Sequence, residues 1–222
     1  MSTFITKQQL FPLIKKYVPE KPIIIEAGAF NGNDTLQLAK ALPHATIHAF
    51  EPVSEIFQML KENTRNHPSI ICHNVALSDQ TGTASFFISR HPKKPTQPFQ
   101  AGSLLKPKER LAWSPVVYDE QITVPTITLD AWAKKNNITH IDCAWLDLQG
   151  YELAVLKAAP QMFATIKLIY TEVHFIQAYE NQETYDQVKA WLEEHDFEEI
   201  AHDFKNKTDW FFGNALFARK YK

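Results

Sequence analysis

Five short apolar runs, each separated from the next by a helix-length segment, set the limits on what this chain can fold into. The runs are Pro22–Glu26, Ala45–Phe50, Ser69–Val75, Ile141–Asp147 and Lys167–Val173. Strands that alternate with helices favour a parallel sheet with helices on both faces. Helices fit Asp34–Leu42, stopped by Pro43, and Ser54 to about Asn66, with Ser54 as N-cap. Others fit Leu129–Asn136, Tyr151–Ala158 and Glu183–His195. Phe4, Leu10, Leu13, Ile14 and Tyr17 space out as one face of a short amphipathic helix within residues 1–20.

Two segments close the chain, "FEEIAHDF" and "WFFGNALFARK". They lie too close together for a crossover helix, so they are expected to pair as an antiparallel hairpin. The expected α/β architecture is a seven-stranded, mostly parallel sheet with a C-terminal antiparallel hairpin. That Rossmann-like plan is the plan of class I methyltransferases, and is uncommon for a nicotinamide domain. Two regions interrupt the alternation. "SDQTGTASFFIS" holds a turn at Asp79–Gly82 and a further short strand, so the third strand is expected to extend into a hairpin. Arg90–Glu120 carries five prolines and no periodicity. It reads as a loop insertion over residues 90–120, either a floppy excursion or a substrate lid.

The 222 residues, 45% of them hydrophobic, suit a single domain over 1–222. A net charge of −2 gives no electrostatic argument for nucleic acid or membrane. The first residues hold no apolar run long enough for a signal peptide or a membrane span, so a cytoplasmic location is expected. Cys72 and Cys143 both fall in apolar strand-like runs and are expected as buried thiols.

The stretch "IIIEAGAFNGNDT" (Ile23–Thr35) is a buried strand ending in a turn with Gly28 and Gly32. It lacks the Gly-Lys-Ser/Thr ending of a P-loop and the G-x-G-x-x-G spacing of a dinucleotide turn, with Ala29 and Phe30 inside instead. Glu26 and Asp34 flank the loop and make a poor setting for a diphosphate. They suit S-adenosylmethionine, which carries an ammonium and a sulfonium. The loop N–H groups can take its carboxylate at the helix end. Glu51, followed by Pro52 at the end of the second strand, can accept from both ribose hydroxyls. Val75 and Ala76 would lie beside the adenine, and Asp79 could reach its amino group. Each feature alone is weak. Together they fall at the carboxyl ends of consecutive strands, where open α/β sheets bind ligands.

A second cluster ends the fourth and fifth strands. Asp147, Gln149 and Gly150 sit at one exit, and Gly150 permits a tight turn. Asp147 reads as a structural acid, a cofactor contact or a substrate contact. Glu152 suits the helix dipole. Glu172 and His174 are two apart and point the same way in a strand. A histidine in a strand is more often packed than catalytic, but this one lies next to an acid at the same edge.

The stretches "EAGAFNGNDT", "AFEP", "NVALSDQTGTASF", "VPTITLDAWAKKNNITHIDCAWLDLQGYELAVLKAA" and "YTEVHF" resemble, in this order, the FkbM family of S-adenosylmethionine-dependent methyltransferases. The resemblance implies O-methylation of a hydroxyl on a sugar or natural product, with S-adenosylhomocysteine as product. The partner would be a small-molecule or glycan acceptor. The chain departs from the family's lysine–x–aspartate–x–glutamate–glycine: it has Trp145, Asp147, Gln149 and Gly150. An alcohol needs a base near neutral pH, and His174 is the first candidate, oriented by Glu172, with Asp147 second. A metal on Asp147, Glu172 and His174 fits by residue type. No tight spacing supports it, and none is assigned. Competing readings are a cofactor-binding module without turnover and, from "RHPKKPTQPF" and "KPKER", a nucleic-acid methyltransferase. The sequence does not fix the oligomeric state.

Overall fold

A computed structural model describes residues 2–205 and 210–220. A two-residue strand β1 (Thr3–Phe4) precedes helix α1 (Lys7–Tyr17). Then come β2 (Ile23–Ala27), α2 (Asn33–Ala41), β3 (Thr46–Phe50), α3 (Ser54–Thr64) and β4 (Ile70–His73). Next are β5 (Ala76–Leu77), β6 (Gly82–His91), β7 (Lys94–Pro98), α4 (Arg110–Trp113) and β8 (Val117–Ile127). The chain continues through α5 (Leu129–Lys135), β9 (Cys143–Leu146), α6 (Glu152–Lys157), α7 (Pro160–Phe163) and β10 (Leu168–His174). It closes with α8 (Tyr185–Glu194), β11 (Phe197–His202) and β12 (Phe212–Arg219).

The main sheet runs β1-β11-β12-β10-β9-β2-β3-β4. The five expected parallel strands are contiguous, from β10 to the β4 edge, and all five expected helices are present within two residues of their expected ends. The terminal hairpin is antiparallel as expected, with β12 inserted between β11 and β10. Side chains alternate between the faces. Ile25, Ala144 and Ile169 pack under α5, α6, α7 and α8. Ile24, Cys143 and Leu168 pack under α1, α2 and α3. Leu10 and Ile14 bury almost completely and dock α1. Each is worth about 1.5–3 kcal/mol of burial.

Five expectations need correction. The main sheet has eight strands, not seven, because β1 pairs with β11. Phe4 is in that strand and is 42% exposed, so it is not part of the amphipathic helix. The third strand does not extend into a hairpin. Asp79–Gly82 instead leads into β6, which pairs antiparallel with β8, and β5 joins the far side of β8. Residues 90–120 are no structureless loop: they hold the end of β6, all of β7 and α4, and the start of β8, within or beside a second, four-stranded sheet. Both cysteines are free thiols, but only Cys143 is buried.

Candidate active site

Two adjoining cavities open over the carboxyl ends of the central strands. The first, of about 330 Å3, lies over β2, β3 and β9. Its floor is the turn after β2, where Gly28, Phe30 and Gly32 all take positive φ. The backbone N–H groups of Gly28 and Ala29 donate to the Phe50 carbonyl at 3.1 and 3.0 Å, which ties this turn to the end of β3. Asn74 Nδ2 donates to the carbonyls of Glu51 and Pro52 and fixes the neighbouring turn.

Glu26, Gly28, Ala29, Phe30, Asp34, Glu51, Pro52, Val75, Ala76 and Asp147 all line this first cavity. Two expected members do not. Gly32 starts α2 in a left-handed conformation, and a Cβ there would meet Leu60 Cδ1 at 2.8 Å, so its place is in the packing of α2 on α3. Asp79 accepts from the Tyr151 hydroxyl at 2.8 Å, and it is Tyr151 that reaches the cavity.

The lining carboxyls are buried. Burial, with the charges of Asp34 and Asp147, lifts Glu26 to about 8. Its Oε2 has no partner among the described residues. Burial lifts Glu51 to about 8 as well, against the N–H groups of Val53 and Phe30. An acid so placed is incomplete without a donor or a cation. The ammonium and ribose hydroxyls of S-adenosylmethionine fit those two acids, and Phe50, Val75, Ala76 and Leu77 offer an apolar bed for an adenine.

The second cavity, of about 220 Å3, lies over β9, β10 and β12. Lys7, Asp34, Gln100, Trp145 and Asp147 line both. Glu172, Tyr170, Asp203, Phe212 and Asn214 line the second only. Asp147 is therefore a carboxylate on the wall between them. Burial pushes it up to about 6, against the amide of Gln149. Glu172 is raised well above the usual carboxylate range, first by burial and then by the Asp147 charge.

His174 lies apart. It is 1% exposed and lines neither cavity. Both ring nitrogens lack a hydrogen-bond partner among the described residues, and Nε2 is 3.7 Å from Glu172 Oε2. Burial, then the Arg110 charge, lowers it to about 3, so the imidazole is neutral. The second sheet adds walls that sequence reasoning did not include, Phe86, Ile88 and Ser89 of β6, and the segment after β7 adds Phe99, Gln100 and Leu104. The one available signal was the strand-like alternation flanking residues 90–120.

A central parallel sheet, an antiparallel β10–β12–β11 edge and an acid-bearing turn after the first parallel strand define a class I methyltransferase. Solved structures of the same fold include a fibrillarin/Nop5p complex (TM-score 0.55, 15% identity, 96% of this chain and 81% of that one). Another is the magnesium protoporphyrin IX methyltransferase of Synechocystis PCC 6803 with bound S-adenosylmethionine (TM-score 0.54, 10% identity, 96% and 77%). Residues 26–199 match the methyltransferase FkbM domain, and the chain belongs to that family. Among curated relatives, the 2-O-methyltransferase NoeI of Sinorhizobium fredii is 29% identical over 176 residues, 79% of this chain and 71% of its own. The hexuronic acid methyltransferase AglP of Haloferax volcanii is 26% identical over 131 residues, 59% of this chain and 48% of its own. No helix among the described residues is long and apolar enough to cross a membrane.

Proposed function

We propose that this methyltransferase uses S-adenosylmethionine to methylate a hydroxyl of a sugar or glycan, with the cofactor in the first cavity and the acceptor in the second. The observation that carries the reading is the position of Asp147 on the wall shared by the two. The activities for which the two relatives are named, 2-O-methylation and hexuronic acid methylation, support the acceptor class.

Bound S-adenosylmethionine supplies a methyl group already activated on a sulfonium. Glu26 would face its cationic end, Glu51 its ribose and Ala76 its base. The chain's remaining work is to align an acceptor oxygen and take its proton. Alignment of this kind is worth on the order of 7–11 kcal/mol. Asp147 is the better base on this geometry, since it lines both cavities and lies within a unit or so of neutrality at about 6. His174 reaches neither cavity, so we assign it no proton transfer. Trp145 and Tyr170, with ring centroids 4.1 Å apart, give the second cavity an aromatic wall suited to a sugar ring. Phe99, Gln100, Gly102 and Leu104 line the proposed cofactor cavity, and Ser103 between them pairs with Phe87.

Calorimetric titration with S-adenosylhomocysteine, with Glu51→Ala beside the wild type, tests the cofactor. Transfer of labelled methyl to a panel of hexosides and hexuronides tests the acceptor. No binding to folded wild type would remove the reading.

A further inference from the structure

Gln149 stands between two acids. Its Nε2 donates to Asp147 Oδ1 at 2.7 Å and to Glu172 Oε2 at 2.5 Å. An amide nitrogen has two hydrogens, so both bonds form at once. Its Oε1 accepts from the Tyr179 hydroxyl at 2.8 Å. The two acids select the nitrogen end of the amide, and the Tyr179 hydroxyl holds the other end. Reversed, the amide would turn its oxygen toward two carboxyl oxygens. Gln149 is itself held in an uncommon backbone state, with φ +51, and its carbonyl accepts from Ser103 Oγ at 2.9 Å.

Tyr179 is fully buried and equally fixed. Its hydroxyl lies 3.0 Å from the Ala101 carbonyl and 3.1 Å from the Tyr118 hydroxyl, and Arg110 Nε donates to Tyr118 at 3.1 Å. Ala101, Ser103, Arg110 and Tyr118 all come from the excursion between β6 and the middle of β8. The excursion thus reaches Asp147 through a chain of hydrogen bonds.

We propose that Gln149 is a positioning residue whose amide takes the place of a bridging divalent ion, holding Asp147 and Glu172 together, so that methyl transfer needs no such metal. The inference rests on the assignment of Asp147 above. A cation that bridged Asp147 Oδ1 and Glu172 Oε2 would have to displace the amide nitrogen, which already lies against both oxygens. A carboxyl at position 149 would change the chemistry. Three acids would converge on one point, and such a group takes up a hard divalent cation or a proton. Tyr179 in this scheme orients the orienter.

The test starts from wild-type protein shown to bind S-adenosylhomocysteine. Turnover on whichever hexoside the panel identifies is expected to be the same in a chelator and in Mn2+. Gln149→Glu is expected to bind Mn2+ in a calorimetric titration in which wild type shows no heat. Tyr179→Phe keeps the ring but frees the amide. It is expected to lower kcat by about tenfold to hundredfold, the scale of a misplaced reacting group, with the acceptor KM unchanged. The acid limb of its kcat–pH profile should also move. Glu26, Asp34, Glu152, Asp203, Arg110 and His174 face the two acids and are left in place, so the movement would report the amide.

Loss of wild-type turnover in chelator, restored by Mn2+, overturns the inference. So does a Tyr179→Phe enzyme with wild-type kcat and pH profile, even if Gln149→Glu fails to fold. If wild type does not bind S-adenosylhomocysteine, the functional reading falls and this inference falls with it. If it binds and Tyr179→Phe is silent, this inference alone fails.

Discussion

A Cβ on Gly28 would lie 2.0 Å from the Asp147 carbonyl oxygen, so the turn after β2 and the exit of β9 meet backbone to backbone. Gly28 also has φ +87. Gly28→Ala therefore suffers twice. The left-handed backbone alone costs about 1–2 kcal/mol, and the carbonyl has to move as well. The expected result is a lower Tm and a loss of S-adenosylhomocysteine affinity beyond about tenfold. Gly82→Ala, also at positive φ (+154) but with nothing within 4 Å of a Cβ, is the control that isolates the clash. A Gly28→Ala protein that binds like wild type would show that this contact does not shape the site.

The buried acids make stability depend on pH in a definite direction. Glu26 and Glu51 rise from 4.5 to about 8 on folding, and Glu152 rises to about 7. The native state therefore holds protons that the unfolded chain gives up. Stability from these groups is complete below 4.5 and is lost as pH rises toward 8. His48 and His73 fall from 6.5 to about 4, which costs stability only as pH drops below 6.5. Between pH 6.5 and 8 the acids act alone, so the Tm of the ligand-free protein should fall across that window. A cationic ligand would ionise Glu26. Binding of S-adenosylhomocysteine at pH 7 should release protons, seen as a dependence of the calorimetric heat on buffer ionisation. A flat Tm across the same window would mean that the native protein has already given up these protons.

Asp147 and His174 give opposite expectations. Asp147→Asn removes the base and should cut turnover by roughly 10²–10⁴-fold while leaving cofactor binding. His174→Phe fills a buried, apolar-sided site and should leave turnover within the same order of magnitude. A collapse of turnover in folded His174→Phe, with Asp147→Asn active, would exchange their roles.

The proposed acceptor cavity is lined by several acids, which predicts a charge preference. Asp34, Asp147, Glu172 and Asp203 line it, and its Lys7 is already paired with Asp34 at 2.7 Å. Like charges brought together in such a place cost several kcal/mol. A neutral hexoside should therefore outcompete the matching hexuronide by at least about tenfold, as read from kcat/KM in direct competition. Equal use of both would show that the acids are screened or protonated in the working complex.

Much of the lining of the first cavity was readable from residue order. Glu26, Glu51 and Asp147 each end an apolar run, and a parallel sheet places such ends along one edge. The terminal hairpin followed from the short spacing between its strands. The second sheet did not. β6 and β8 pair across a gap that holds five prolines, and the contact of Phe87 with Ser103 depends on chain that doubles back. Local pattern cannot report pairing of that range. His174 shows a different limit. Its two-residue spacing from Glu172 was right for a shared face, but spacing does not say whether that face opens to a cavity or is sealed by Tyr179 and Phe212.

The two cavities also fall differently against the family-matched span. All the residues that line the first, except Lys7, fall within the family-matched span 26–199. Ten of the sixteen that line the second fall outside it, before β2 or after β11 has begun. Under the proposed assignment, the donor pocket lies inside the matched span, and more than half of the acceptor cavity is built from its flanks.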